Sequence, residues 1–476
     1  MRRIVWALAL AALASIAGCA AQSKESAFDD VSKRVRSQGV PVVRWNTNSA
    51  EDAEAAAAVN ALLSSELTFG AVAQIAVLNN HELQATFEEI GIAQADLVQA
   101  GLLRNPVFDL SVRIPDGAPS KTYIDIGVAQ NFLDIFFIPA KRKIAEEQLA
   151  QAKARVAQQV LTIATDTQIA FIQYQAAAQL LEIKKMAAEA SAASLETARR
   201  LHDAGNINDL AYLTEQAQES RARIELAAAQ ASVQEAREHV DSLMGVSDAQ
   251  LTWKAAAKLP DLFELTAPVT LAQKVALEYR QDLAAAREEI EIQGRALGLT
   301  EQTRFFSEAN VGVDAERETD GQWRIGPSLS FPIPLFDQGQ GAIPKTQAKL
   351  RQSRQRYTAM VVQIRSQVRA ACDKLTNANA MARMYRDDLM PLQDKVLDQT
   401  QLHYNAMIVG AFQLLQAKQN QLEANEHYVE SLRDFWISAA ELERATGFTL
   451  AMPQSPTTQH ASTGGALNEE HHHEAH

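Results

Sequence analysis

The sequence predicts a mainly helical protein built from two copies of one unit, in which a helix, a β-hairpin, a long helix and a further helix follow one another. The chain of 476 residues is rich in Ala, Gln, Leu, Glu and Arg but holds only 14 Pro and 20 Gly, a composition typical of long helices. Residues 139–202 and 343–404 are each predicted to form one continuous helix, roughly 90 Å long at the rise of an α-helix. A short segment of alternating polarity lies ahead of each long helix and predicts strands.

Both strand-like segments alternate apolar and polar side chains around a turn. In the first, apolar residues occupy every second position of 108–114 and 124–128, with Pro115-Asp116-Gly117 between them. The second repeats the pattern at 309–313 and 323–331. Alternation of this kind around a Pro, Asp or Gly turn is typical of a β-hairpin. The predicted strands are about 106–114, 122–132, 308–315 and 322–332.

The second half of the chain repeats the first. The segment 88–92, Glu-Glu-Ile-Gly-Ile, is matched by Glu-Glu-Ile-Glu-Ile at 288–292, and Gly245 is matched by Gly447. A duplication of this size points to architecture rather than to a catalytic site. The predicted organisation is a leader at 1–18, an extended tether with a short helix at 19–68, a first repeat at 69–245, a linker at 246–270, a second repeat at 271–447 and a flexible tail at 448–476.

The N-terminus carries a targeting signal. Arg2 and Arg3 precede an apolar run that ends in Ala17-Gly18-Cys19, which is the pattern of a secretory signal peptide. The ending resembles a bacterial lipobox, which implies cleavage before Cys19, lipidation of its thiol and, with Ala20 next, sorting to the outer membrane. The alternative is an incidental cysteine beside an ordinary cleavage site. With Cys19 acylated, Cys372 has no disulfide partner and is predicted to be a small buried side chain.

The number of strands limits how the chain could cross a membrane. No stretch holds the roughly 20 consecutive apolar residues of a spanning helix, so a crossing would have to use strands. Four strands cannot close a barrel, and an open edge in lipid leaves backbone groups without hydrogen bonds. The strands therefore form either a soluble sheet or part of a barrel shared by several chains.

Three segments carry a family resemblance. Residues 88–106, residues 326–337 and Gly410-Ala411-Phe412-Gln413-Leu414-Leu415-Gln416-Ala417 resemble the TolC family of outer-membrane efflux proteins, and the lipobox fits its lipoprotein branch. The resemblance covers roughly 69–447. It implies a homotrimer in the outer membrane, with a small twelve-stranded membrane β-barrel and a long periplasmic α-helical tunnel. It also implies a linker that belts the tunnel, and two partners: a periplasmic adaptor (membrane fusion protein) and an inner-membrane pump.

The resemblance places a channel entrance at the turns near 205–209 and 407–410. Members of the family often carry aspartates, three apart, just after the second turn, whereas this chain has Gln413 and Gln416. A neutral ring would bind cations less strongly. Asp209 is then the nearest acidic candidate for the entrance. The simpler alternatives are that Asp209 caps a helix and that the glutamines face solvent elsewhere.

Two groups of side chains raise the question of metals. The tail residues His471, His472, His473 and His476 can bind Zn²⁺, Cu²⁺ or Ni²⁺ weakly, and a solvated tail or an expression remnant is the alternative. The second group consists of methionines, whose thioethers suit Cu(I): Met381, Met384, Met390 and Met407. Core packing explains these methionines more simply. No cofactor is expected beyond the lipid on Cys19.

The sequence argues against catalysis and against nucleic acid. It holds no nucleophile elbow, P-loop or His-Glu-x-x-His motif, so no enzyme is expected. A net charge of −13 without a basic, aromatic patch excludes nucleic acid as partner. We expect a passive outer-membrane channel of a tripartite efflux system, with heavy-metal cations of copper type as cargo. The alternatives are a multidrug or small-molecule channel and a lipid-anchored periplasmic coiled-coil adaptor.

Overall fold

The computed structural model describes residues 24–40, 42–47, 49–114, 116–117, 122–247, 250–264, 268–305 and 308–448. The helices are α1 Lys24–Ser37, α2 Ala50–Leu63, α3 Phe69–Asn79, α4 His81–Ala100, α5 Asp134–Asp203, α6 Asp209–Met244, α7 Val269–Tyr279, α8 Gln281–Thr303, α9 Ala342–Arg383, α10 Met390–Asn405 and α11 Ala411–Thr446. The strands are β1 Glu66–Leu67, β2 Val107–Arg113, β3 Tyr123–Asn131, β4 Lys254–Ala255, β5 Asn310–Arg317 and β6 Trp323–Ser330. The prediction of a mainly helical protein with two β-hairpins is confirmed. None of the described helices is both long enough and apolar enough to span a membrane.

The chain divides into two compact units. The first draws on Met1–Val35, Ala85–Gln158 and Gln281–Met360, and the second on Arg36–Gln84, Gln159–Arg280 and Val361–His476. Each repeat therefore contributes residues to both units, and the strands of both hairpins belong to the first.

The two hairpins form one antiparallel sheet in the first unit, in the order β2-β3-β5-β6. The middle pair, β3 and β5, joins the hairpins, with Val128 opposite Val313. Among the described residues, the strands of the two repeats thus pair directly in this sheet, and β2 and β6 are its edges.

Helix α1 corrects the prediction of an extended tether at its start. Its apolar residues are sparse, but Val31 and Val35 are fully buried, and the Phe28 ring meets the Phe87 ring edge-on at 5.2 Å. Asp30 also accepts a hydrogen bond from Lys153 Nζ at 2.7 Å. Tertiary packing of its apolar face, which holds Ala27, Val31 and Val35, stabilises this helix.

Aromatic side chains fill the core of the second unit. Trp436 is fully buried, its ring lies 5.2 Å from that of Phe69, and its Nε1 donates to Pro260 O. Trp253, in the predicted linker, donates from Nε1 to the buried carboxyl of Asp241. Burial raises the pKa of Asp241 despite that hydrogen bond. The linker is therefore anchored to the helices on both sides of it.

One lysine ties three helices of the second unit together. Lys184 on α5 lies 2.9 Å from Glu225 on α6 and 2.8 Å from Glu426 on α11. Desolvation opposes its charge, but hydrogen bonds to these two carboxylates raise the pKa of Lys184 overall. The lysine therefore stays charged and bridges both acids.

Each repeat ends in a glycine with a left-handed backbone. Gly245 has φ 65° and Gly447 has φ 66°, a conformation that other residues rarely adopt. Asn79 Nδ2 donates to Gly245 O at 2.7 Å, and Gly447 lies against the backbone of Arg280. Both glycines thus abut the short break between the first two helices of their own repeat.

The second long helix differs from its prediction. The chain forms a π-helix at Met384–Leu389, between α9 and α10, instead of continuing as a single α-helix. A π-helix adds a residue to a turn and shifts the side chains that follow around the axis, and such insertions are frequent at functional sites. The first long helix, α5, is continuous over 70 residues and contains Pro139 near its start.

Candidate functional site in the sheet and the helical turns

One face of the four-stranded sheet is apolar except for Gln130 and Arg317, which lie in its end rows. Because antiparallel partners point to the same side, the register places Phe108, Val128, Val313 and Pro327 in one row and Leu110, Ile126, Ala315 and Ile325 in the next. These side chains are not covered within the chain: Phe108 is 63% exposed and Ile325 is 75% exposed. An apolar surface of this kind needs an apolar environment or a partner.

The opposite face is polar, and its residues come from the intervening positions. One row holds Asp109, Gly127, Asp314 and Gly326. A Cβ atom on Gly127 would lie only 2.7 Å from Asp314 Oδ1. The absence of a side chain at Gly127 therefore leaves room for this carboxylate to lean over the neighbouring strand.

The adjoining row adds more acid than base. It holds Ser111, Asp125, Glu316 and Arg324. Glu316 accepts a hydrogen bond from the Tyr123 hydroxyl at 3.2 Å, and Arg324 forms an ion pair with Glu318.

Carboxylates outnumber guanidinium groups on this polar face. Its acids within the strands are Asp109, Asp125, Asp314 and Glu316, and its bases are Arg113 and Arg324. A surface lined with one sign of charge concentrates ions of the opposite sign. This face can therefore attract cations.

The turn between α5 and α6 holds Asp209. Asn208 is the N-cap, since its side chain accepts from Ala211 N, so the alternative in which Asp209 caps the helix is wrong. Asp209 Oδ1 instead lies 2.7 Å from His202 Nε2 across the turn, and the His202 ring stacks on that of Tyr212. The turn is therefore closed by a polar contact between its two helices.

The turn between α10 and α11 holds both glutamines. Gln413 Oε1 accepts from Gly410 N at 2.7 Å, and Gln416 Nε2 donates to Asn420 at 2.9 Å. Both side chains thus bond within their own helix terminus, whereas Asp209 bonds to the helix before its turn. Met407 has φ 58° and is 94% exposed.

The remaining sequence predictions fall in two groups. Cys19 and the tail histidines, His471, His472, His473 and His476, lie outside the described residues. Core packing is the wrong explanation for three of the methionines, because Met381 is 48% exposed, Met384 57% and Met407 94%. Cys372 is a buried free thiol, and burial raises its pKa.

Sequence reasoning missed two features of these sites. The alternation of Asp109 and Ser111 with apolar neighbours was visible, but the grouping of Asp109 with Asp314 depends on a register that joins distant strands. His202 carried no signal in the sequence. Its role depends on the path of the turn that brings it to Asp209.

Comparison with known proteins agrees with this geometry. The chain matches the family described as outer membrane efflux protein over residues 72–246 and 273–448. It is 22% identical over 390 residues to the cobalt-zinc-cadmium resistance protein CzcC of Cupriavidus metallidurans, covering 80% of this chain and 90% of that protein.

Solved structures share the fold. A membrane protein from Pseudomonas aeruginosa superposes with a TM-score of 0.65 at 16% identity, over 86% of this chain and 97% of that one. CusC, whose crystal structures concern folding and transmembrane channel formation, gives a TM-score of 0.65 at 14% identity, over 82% of this chain and 92% of that one. The resemblance inferred from the sequence is confirmed.

Proposed function

Because the chain belongs to the outer membrane efflux protein family, we propose that it is the outer-membrane channel of a tripartite efflux system and that heavy-metal cations of copper type are its cargo. Conduction is passive, since an inner-membrane pump supplies the energy and a periplasmic adaptor links the pump to the channel. A pore of this kind needs a polar lumen and a constriction that opens, and it carries out no covalent chemistry.

The observation that carries the proposal is the division of the sheet into two faces. Apolar side chains such as Leu110 and Ile325 stand on one face and carboxylates such as Asp109 and Asp314 on the other. Membrane strands alternate in this way, with apolar residues toward lipid and polar residues toward the lumen. In this arrangement the acidic face lines the path of the cargo.

The open edges of the sheet favour a homotrimer. Strands β2 and β6 are the outer members of the sheet, and unpaired backbone groups in lipid cost several kcal/mol each. Pairing β6 of one copy with β2 of the next removes both edges. Three copies give a closed barrel of twelve strands, which is within the size range of bacterial barrels.

The excess of carboxylates on the polar face supports a cationic cargo. A relative named for cobalt, zinc and cadmium resistance also supports it, at 22% identity. In the proposed system Cys19 carries the lipid anchor and the tail histidines bind metal weakly. The turns that hold Asp209 and Gln413 form the entrance, which contact with the adaptor opens.

A second candidate is a channel for uncharged small molecules or drugs. Gln413 and Gln416 favour it, because a neutral entrance gives no preference to cations. The two candidates differ in what a strain lacking the gene would fail to export.

Tolerance assays separate the two cargoes. We expect a deletion strain to become sensitive to copper, zinc, cobalt or cadmium salts while its tolerance of a drug panel stays unchanged, and a plasmid copy to restore it. Unchanged metal tolerance with new drug sensitivity would overturn the cation cargo in favour of the second candidate. Truncation after Thr463 tests the tail separately, by metal binding and tolerance.

Recordings in lipid bilayers test the channel itself. The protein should run as a detergent-dependent trimer after crosslinking and conduct cations in preference to anions. Asp109→Asn with Asp314→Asn should lower the cation-to-anion permeability ratio several-fold, because it removes the carboxylates of one row. The control is Ser328→Asn, which adds no charge on the same face. A monomer released from membranes by Cys19→Ala would contradict the channel.

A further inference from the structure

A cavity of about 520 Å³ lies in the second unit between the α9–π-helix stretch and α11. Met381 and Tyr385 line it from one side, and His427, Glu430 and Asp434 line it from the other. Met381 and Tyr385 are four residues apart and share a helical face. The cavity thus brings a thioether and an imidazole to one space.

His427 is held in a defined orientation. Its Nδ1 lies 3.0 Å from Glu430 Oε2, and its ring centroid lies 5.9 Å from that of Tyr385. A neutral imidazole that donates from Nδ1 to this carboxylate keeps its lone pair on Nε2. Nε2 itself lies 3.9 Å from Glu423 Oε1, which is beyond hydrogen-bond distance. Metal-binding histidines usually have this arrangement, in which a carboxylate orients the ring and increases the basicity of the other nitrogen.

Met381 is poorly explained as a packing residue. It is 48% exposed and lies on α9, three residues before the π-helix that begins at Met384. Met384, three residues further on, is 57% exposed but does not line the cavity. This stretch of the helix therefore offers two exposed thioethers, of which Met381 shares the cavity with His427.

Both acids that line the cavity have partners: Asp434 pairs with Arg433 and Glu430 with His427. Lys374, which also lines it, is paired with Glu441 at 2.7 Å, and Arg433 is paired with Asp434 at 2.9 Å. Each of these two cations is thus paired with a carboxylate, and in the case of Arg433 that carboxylate lines the cavity. Glu430 then adds negative potential beside His427.

The donor set decides which metal fits. Nowhere among the described residues do three His, Cys, Asp or Glu side chains converge as a metal cage. A divalent ion such as Zn²⁺ ordinarily takes four nitrogen, sulfur or oxygen ligands, which this cavity does not supply. Soft thioether ligands select Cu(I), and imidazole also binds copper.

We propose that Met381 and His427 form a binding site for a soft monovalent cation, Cu(I) or its analogue Ag(I), with Met381 Sδ and His427 Nε2 as the donors. The role of this site is to transfer exported metal, and this role rests on the proposed heavy-metal cargo. A site with few ligands binds weakly enough to release its ion, as conduction requires.

Silver binding to the purified full-length chain tests the site. The background carries Cys372→Ser, because the free thiol is a stronger ligand for Ag⁺ than a thioether or an imidazole. It also carries His471→Ala, His472→Ala, His473→Ala and His476→Ala, so that the tail contributes no binding. Titration calorimetry with Ag⁺ should detect one ion per chain. Met381→Leu, which keeps the apolar bulk, and His427→Gln, which keeps a polar group beside Glu430, should each weaken Ag⁺ binding at least tenfold. Met384→Leu and His403→Gln are the matched controls and should leave it unchanged.

X-ray absorption at the silver edge supplies a second readout. It should show a sulfur neighbour that Met381→Leu removes. Unchanged affinity in both site variants, or equal loss in the Met384→Leu control, would overturn the site. A site that binds silver in a protein whose deletion leaves metal tolerance intact would instead overturn the proposed cargo, so the two failures are distinguishable.

Discussion

The two repeats share one order of elements, and each reverses direction at a turn between its long helix and its last helix. Gly205 in the first turn corresponds to Met407 in the second, and both are left-handed, with φ 74° and φ 58°. In the first turn Asn208 caps the helix and His202 contacts Asp209. In the second turn Gly410 takes the cap position.

Comparing the terminal glycines with the turns shows which features both repeats retain and which differ between them. Gly245 and Gly447 keep the same residue and the same φ because each packs against the backbone of its own repeat. At the turns only the backbone path is retained, so the side chains there were free to diverge. Polar contacts close the first turn, and exposed apolar side chains, Met407 and Ile408, occupy the second.

The largest expected effect tests the packing glycines. Gly447→Ala should lower the free energy of unfolding by about 1 kcal/mol, the penalty of a left-handed backbone with a Cβ. Gly245→Ala should cost about 2–3 kcal/mol, because its Cβ would also lie 2.7 Å from Asn79 O. Thermal unfolding in detergent, followed by the helical circular dichroism signal, gives both values.

Gly294→Ala is the control for the glycine pair. It lies within α8, and an added Cβ there meets nothing within 4 Å, so the substitution should be neutral or stabilising. Equal losses at Gly245 and Gly447 would show that backbone conformation alone, rather than the close approach to Asn79, sets the cost.

The second prediction exchanges the left-handed residues of the turns. Met407→Gly should stabilise the protein by about 1 kcal/mol and Gly205→Met should destabilise it by a similar amount. The same thermal measurement applies, with Ile408→Gly as a control that should be destabilising. If Met407→Gly is itself destabilising, the exposed thioether makes a stabilising contact that outweighs the strain.

The sequence was sufficient for features that repeat along the chain. Period-two alternation located β2 and β6 to within about two residues of their observed ends. The absence of Gly and Pro over most of α5 predicted its length. The match of Gly245 with Gly447 predicted the duplication.

Features that depend on distant contacts or on a single inserted residue could not be predicted from the sequence. The shared row of Asp109 and Asp314 depends on how β3 pairs with β5. The π-helix at Met384–Leu389 changes no periodic pattern long enough to detect. Helix α1 looked polar because the partners of Val31 lie elsewhere in the sequence.

The third prediction compares the two helix caps. Asn208 Oδ1 accepts from Ala211 N at 2.9 Å, so Asn208→Ala should cost about 1 kcal/mol. In the second turn Gln413 reaches back to Gly410 N, and Gln413→Ala should cost about 0.5 kcal/mol. Hydrogen exchange in the first turns of α6 and α11 localises each loss. Asn208→Asp, which keeps an acceptor, is the control; exchange that rises equally in both variants would deny a capping role.

The smallest expected effect concerns the contact that distinguishes the first turn. Asp209 is 89% exposed, so its coupling to His202 should amount to only about 0.3 kcal/mol in a double-mutant cycle of His202→Ala and Asp209→Ala. The positions that correspond to these residues in the second turn hold Tyr404 and Ala411. Tyr404→His with Ala411→Asp should therefore transfer a coupling of the same size to that turn.

A contact this weak can still shift the equilibrium between the closed and open forms of the proposed entrance. That equilibrium depends on the difference in contact energy between the two forms and not on the total stability of the protein. We expect His202→Ala to leave the unfolding midpoint unchanged and to increase the open fraction in single-channel recordings by less than about twofold, the ratio that 0.3 kcal/mol allows. Gln416→Ala, which breaks a bond within one helix, is the control and should leave the open fraction as it is. An open fraction that rises tenfold would mean that His202 makes other stabilising contacts in the closed state besides the one with Asp209.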